Sequence, residues 1–270
     1  MPEGHVLHRA ARLQSRKLAG RTLEVQSPQG RFAQGAKRLD GRELEGIDAK
    51  GKHIFYRFDG DDVLHVHLGL FGKFRMQTPP FPDPSPNARL VMSTQDDRLH
   101  LAGPTACEVL TTDEADAVAE RLGPDPILAP ADGADQVFHR LRRRTVPIGA
   151  AILDQKVIAG LGNVYRAELL FLVGVDPFTR ANEVDRETIG ELWDLSVTQL
   201  KAGERSGRIV TVDPAEVGAP SVSKLKRGER LHAYKRDGKR CRRCPDEIRT
   251  ASIDSRNIWW CPTCQPEAGL

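Results

Sequence analysis

The chain has no run of apolar residues approaching the ~18–20 that a helix needs to cross a bilayer, and its first thirty residues contain no signal-peptide core. Its expected place is therefore the cytoplasm. The P-loop Lys-Ser/Thr and the dinucleotide G-x-G-x-x-G are both missing, so no organic cofactor is expected. Cysteine is scarce, with five in 270 residues, which suits a reducing compartment. A net charge of +3 is too mild to name a partner. What remains is 39% hydrophobic and 29% charged, the balance of a soluble globular protein with one large or two modest domains.

The start, Met1-Pro2-Glu3-Gly4, carries chemistry if Met1 is removed, as is usual before a small residue. Pro2 would then present a free secondary amine. A terminal amine titrates near ~8 against ~10.4 for lysine, so a useful fraction is nucleophilic at neutral pH. Attack by a secondary amine on a sugar carbon gives an iminium, an electron sink for elimination. Glu3 stands one residue away to donate and accept protons. Residues 6–18 then space Leu7, Ala10, Ala11, Leu13 and Leu18 as one face of an amphipathic helix, which would hold the terminus rigid.

From Thr22 to about Leu110 the pattern is strand-like. Ile54, Tyr56 and Phe58 alternate, as do Leu64, Val66 and Leu68, with Gly, Asp and Pro breaks between them. Short strands without a helical period predict an antiparallel sandwich. Lys52 shares parity with Ile54 and Tyr56 and is expected to open that strand, reaching either the core side or solvent. In Leu68-Gly69-Leu70-Phe71-Gly72, Leu70 and Phe71 read from the residues alone as core beside a hairpin, the alternative being an apolar wedge for a base stack. His65 and His67 share a strand face, a metal pair only if a third ligand lies nearby. The five prolines of residues 77–88 predict an exposed loop.

A boundary is expected at 123–133, after which Val137 and Leu141 begin a helical half and Pro147 starts a further helix. Gly160-Leu161-Gly162-Asn163 feeds another helix, the form of an anion cradle, with Asn163 placed to cap or donate and a phosphodiester as the fitting ligand. Residues 185–205 read as one more helix capped by Asp185. From Lys224 to Arg243, ten Lys/Arg face only Glu229 and Asp237, a run that favours a polyanion partner. Finally, Cys241-x₂-Cys244 and Cys261-x₂-Cys264, sixteen residues apart, have tetrathiolate zinc spacing around a two-stranded hairpin that displays Arg249 and Arg256. Four thiolates close the coordination sphere, so this zinc would be structural. Cys107 is expected as a small core residue.

These motifs, in this order and over nearly the whole length, resemble the formamidopyrimidine-DNA glycosylase/endonuclease VIII family. The resemblance implies an α+β multidomain fold. An antiparallel β-sandwich with flanking helices would occupy 1–125, a helix–two-turns–helix domain 126–233, and a β-hairpin zinc finger 234–270, with damaged DNA between the first two. It implies a monomeric bifunctional glycosylase and AP lyase. Position by position, it makes Pro2 the nucleophile, Glu3 the proton shuttle and Lys52 a lysine near the reacting phosphate and sugar. Leu70 becomes the wedge, Asn163 and Arg256 two phosphate clamps, and Glu168 a further carboxylate. Two departures stand out. His5-Val6 replaces Pro-Glu, removing a second N-terminal carboxylate, and Leu101–Ala106 lacks the Arg and Phe of the formamidopyrimidine branch. The second favours the endonuclease VIII branch, oxidised pyrimidines, and acceptance of bubble or single-stranded DNA beside duplex. The alternatives are an oxidised-purine glycosylase and a non-catalytic damaged-DNA-binding zinc protein.

Overall fold

The computed structural model describes residues 2–267, and the chain divides into two compact units, 1–121 and 122–270. The first unit opens with α1 (Gly4–Leu18), β1 (Arg21–Gln26), α2 (Ala33–Leu39), β2 (Arg42–Lys50) and β3 (His53–Phe58). It continues with β4 (Val63–His67), β5 (Lys73–Gln77), β6 (Leu90–Ser93), β7 (Arg98–Ala102), β8 (Ala106–Leu110) and α3 (Thr112–Glu120). All pairings are antiparallel in the order β5-β7-β6-β1-β2-β3-β4-β8. β1 joins two half-sheets, its residues 21–23 pairing with β2 and 24–26 with β6. Both halves turn alternate residues into one core, Leu44, Ile54, Tyr56 and Val66 from one and Leu90, Met92, Leu99 and Leu101 from the other. Leu7, Ala11 and Leu18 of α1 enter the same core. The expected sandwich is present, with the 78–89 proline-rich segment as a loop between β5 and β6.

One helix, α2, falls within the stretch expected to be strand, and a second, α3, where the sequence reading assigned no element. α2 is seven residues long and has no side-chain cap, too short to display a period against its neighbours. α3 begins at a reciprocal capping box between Thr111 and Glu114, a signature that is present in the sequence.

The second unit contains α4 (Gly133–Leu141), α5 (Ile148–Ala151), α6 (Asn163–Leu172) and α7 (Arg186–Ser206). Three single-turn 3₁₀ segments follow between 214 and 229, and then the hairpin β9 (Arg249–Ile253) and β10 (Arg256–Trp260). The expected Asp185 cap is observed: its carboxylate accepts the Thr188 N–H at 2.8 Å, and Gly207 at φ 72° ends the helix. Leu141, Ile148, Ile152, Tyr165, Leu169 and Leu192 form the core. Where α4 begins, a Cβ on Gly133 would lie 2.1 Å from the Trp193 ring, so α4 and α7 meet only because that position has no side chain. A smaller core of Phe171, Ala233, Ile248 and Trp259 seats the finger on α6. Among the described residues no helix is long and apolar enough to cross a membrane.

Candidate active site and nucleic-acid contacts

In the first unit, Pro2 lies just ahead of α1 and lines a cavity of about 550 Å³, together with Val6, Arg9, Leu70, Lys73 and Phe74. Glu3 is the N-cap residue of α1 and is fully buried. Its carbonyl accepts the Val6 N–H at 2.8 Å, so the first helical turn fixes the backbone on which Pro2 stands. His5 is buried beside it, and loss of hydration lowers its pKa to about 4. His5 thus stands at the family's proline as a neutral imidazole, and the second carboxylate's place is taken by Val6, which lines the Pro2 cavity. The expectation about Met1 falls outside the described residues.

Lys52 does not open β3. It sits half-buried in the two-residue turn Gly51–Lys52 that closes the Lys50↔His53 pair. Gly51 at φ 59° makes that turn, so two-residue parity, which holds only within a strand, does not apply to Lys52. Next to it stands a histidine chain. Glu108 accepts from His65 Nδ1 at 2.9 Å, which leaves His65 Nε2 to accept from His53 Nδ1 at 2.8 Å. The His67 ring lies 4.8 Å from that of His53. Burial, and then the neighbouring His65 and His67, push the His53 pKa down to about 3. Both ring nitrogens of His65 are committed, so it is a satisfied hydrogen-bonding residue and not half of a metal pair.

The core assignment of Leu70 and Phe71 is overturned. They are 61% and 85% exposed, whereas Leu68 is buried. The turn closes through Gly72 N–H to Leu68 O at 2.9 Å. A Cβ on Gly72 would meet that carbonyl oxygen at 2.3 Å. With the chain folded back so tightly, the two side chains at the tip have no core to enter. The short turn 103–105 braces it, since Thr105 N–H donates to His67 O at 2.9 Å and Thr105 Oγ1 occupies the space beside Gly69.

In the second unit, the Gly160 N–H is not free to cradle an anion, because Gln155 Oε1 accepts it at 2.9 Å while Gln155 Nε2 donates to Leu161 O at 3.0 Å. Gly162 is the N-cap residue and Asn163 the first residue of α6. Asn163 Nδ2 donates to Asn257 O at 3.1 Å, so it stands directly beside Arg256 on β10. Arg256 is exposed and follows the Asp254–Ser255 turn, whose two residues have φ of 48° and 60°. The two expected clamps are thus brought together. Fully buried Arg166 holds them so, donating to Asn257 O at 2.6 Å and to Gly149 O at 3.2 Å. Sequence reasoning passed over Arg166 and Gln155. The visible signal was an arginine within the apolar run Tyr165–Leu172.

Glu168, also fully buried, accepts from the backbone N–H groups of His232, Ala233 and Tyr234 at 2.7, 2.8 and 2.8 Å, and from the Thr211 hydroxyl. Its carboxylate fastens the segment entering the finger. In the finger, the Sγ atoms of Cys241, Cys244, Cys261 and Cys264 all lie within 4.8 Å of one another, with Cys241–Cys264 at 3.8 Å and Cys244–Cys261 at 3.4 Å. A tetrahedron of ~2.3 Å zinc–sulfur bonds has edges of about 3.8 Å, so the four cysteines fit a metal ion. Cys107 is partly buried against the first core.

Residues 1–106 match the family model of the formamidopyrimidine-DNA glycosylase N-terminal domain, and residues 122–213 that of the formamidopyrimidine-DNA glycosylase H2TH domain. Endonuclease 8 1 of Mycobacterium tuberculosis is 43% identical over 270 residues, covering 98% of this chain and all of that protein. Probable endonuclease 8 2 of Streptomyces coelicolor is 31% identical, covering 98% and 94%. Among solved structures, the Lactococcus lactis formamidopyrimidine-DNA glycosylase bound to DNA containing an AP site superposes with a TM-score of 0.78 at 26% identity, covering 98% of this chain and all of that one.

Proposed function

The chain belongs to the formamidopyrimidine-DNA glycosylase/endonuclease VIII family of DNA glycosylases and AP lyases, and from that premise we propose that it removes oxidised pyrimidines through a Schiff base on Pro2. The observation that carries this is the cavity that Pro2 shares with Leu70, with Glu3 buried at the base of the same helix. A base stacked in duplex cannot be attacked, so the nucleotide must leave the stack, and Leu70 fills the gap behind it. Pro2 nitrogen bonds to C1′ while Glu3 protonates the ring oxygen. The base departs and the iminium remains. A proton leaves C2′ and the 3′ phosphate is expelled; loss of the C4′ proton then expels the 5′ phosphate. Hydrolysis returns the amine, and a one-nucleotide gap is left (β,δ-elimination).

Lys52 attends the phosphate and sugar, and Asn163 and Arg256 grip the backbone. Cys241, Cys244, Cys261 and Cys264 would hold one zinc, which supplies only the cross-link that shapes the hairpin. In this scheme 1–125 is the catalytic part, 126–233 the helix–two-turns–helix part and 234–270 the finger. The enzyme works as a monomer and accepts bubble and single-stranded DNA as well as duplex. The three-residue turn 103–105 supports a pyrimidine preference, because it has neither Arg nor Phe to hold the opposite base. A lesion panel tests this. Thymine glycol and dihydrouracil should be excised well ahead of 8-oxoguanine paired with cytosine, leaving phosphate on both ends of the gap. Comparable turnover of the purine lesion would favour the oxidised-purine alternative.

A further inference from the structure

The second unit carries a cavity of about 370 Å³ that none of the roles above uses. It is lined by Arg227, Arg230, Lys235, Arg236 and Lys239 with Tyr234, and by no carboxylate. Arg236 is engaged in the fold, donating to His232 O and to Arg240 O. Among the described residues no acidic side chain pairs with the other four. Like charges converging without a counter-charge leave a field that only an anion relieves.

Lys235 is the sharpest feature. Its φ is +54°, a conformation that a long L side chain rarely adopts. The cause lies upstream. Glu168 pins the N–H groups of His232, Ala233 and Tyr234, and Arg236 N–H then closes a turn on Ala233 O at 3.0 Å. Lys235 occupies the third place of that turn, where glycine or asparagine belongs. Its Nζ stands 5.6 Å from the Tyr234 ring centroid, which holds the stem in one direction. A strained position that glycine would fill at no steric expense, yet that bears a directed cation, points to a ligand.

We propose that this cavity is a phosphate site and that Lys235 is its pre-positioned cation, taking a phosphodiester of the DNA strand. The choice of DNA as the source rests on the function proposed above; the phosphate chemistry does not. The test uses the full-length chain and undamaged duplex, so that failure of Pro2 chemistry cannot be confused with failure of this site. K235G should leave the thermal midpoint unchanged or raised. It should weaken duplex binding about five- to tenfold near 0.1 M salt, and flatten the log–log salt dependence by about one unit. K235R should restore the slope. Unchanged affinity and slope in K235G, a lowered midpoint, or no rescue by arginine would each overturn the proposal. Inorganic phosphate, followed by ³¹P line broadening, separates the sources. Phosphate binding lost in K235G while duplex affinity stays intact would mean a free phosphate, and would overturn the strand assignment.

Discussion

Replacing Glu168 with glutamine separates an anchoring carboxylate from a catalytic one. In the wild type, Oε1 accepts from Ala233 and Tyr234, while Oε2 accepts from His232 and the Thr211 hydroxyl. An amide keeps one acceptor oxygen. With that oxygen on the Ala233–Tyr234 side, the Thr211 hydroxyl can turn to accept from the new NH₂, but the His232 N–H faces a donor and is orphaned. An orphaned buried donor costs about 1–3 kcal/mol, and the two remaining bonds each lose about 1 kcal/mol when the charge goes. Relief of the desolvated carboxylate returns part of this, so the expected loss is about 3 kcal/mol. For a unit of this size that lowers the thermal midpoint by roughly 6–12 °C. Calorimetry of the full chain, paired with single-turnover cleavage of an abasic duplex well below the transition, reads both properties. The midpoint should fall while the rate at saturating DNA stays within a few-fold of wild type. A midpoint within 2 °C of wild type (~0.5 kcal/mol by the same scaling), accompanied by a hundredfold slower reaction, would make Glu168 a reacting group and refute the anchor.

The double substitution L70A/F71A should leave stability within ~0.5 kcal/mol, because neither side chain is packed. It should slow excision from duplex tenfold or more, since unstacking a base costs a few kcal/mol, and spare abasic sites in single strands; equal losses on both substrates would remove the wedge role. His5 predicts an acid limit to stability. Its folded pKa is about 4 against 6.5 unfolded, so the unfolded chain binds the extra proton. Stability is full above pH 6.5 and falls by roughly 3 kcal/mol toward pH 4. Urea midpoints across that range should show the decline, and H5F should flatten it. One zinc per chain should be found by elemental analysis. Chelation should abolish DNA binding while leaving the cooperative melting of the first unit, and persistence of binding without metal would contradict the finger's part.

The sandwich, the helical half and the finger were legible because each depends on a local pattern. Alternation in β3 and β4, the Asp185 cap and the paired cysteine spacing are all decided within a few residues. The positions that sequence misplaced are decided elsewhere in the chain. Leu70 and Phe71 look like core until Gly72 forces their turn outward and the 103–105 turn fills the space beneath. Lys52 inherits strand parity on paper, but Gly51 breaks the strand ahead of it. Gly160 belongs to a glycine-rich turn before a helix, yet its amide is claimed by Gln155, five residues upstream. Glu168 and Arg166 lie in an apolar helix, and their partners are spread from Gly149, 17 residues away, through Thr211 and His232 to Asn257, 91 residues away. No spacing rule reaches that far.

The central claim is that the Pro2 nitrogen becomes covalently joined to deoxyribose. Borohydride reduction of the full-length chain mixed with an abasic-site duplex, followed by peptide mass mapping, tests it most directly. The expected result is a single adduct on the N-terminal peptide, borne by a proline that has lost Met1. An adduct on Lys52 or another lysine, or no adduct under conditions in which the strand is cut, would contradict the account.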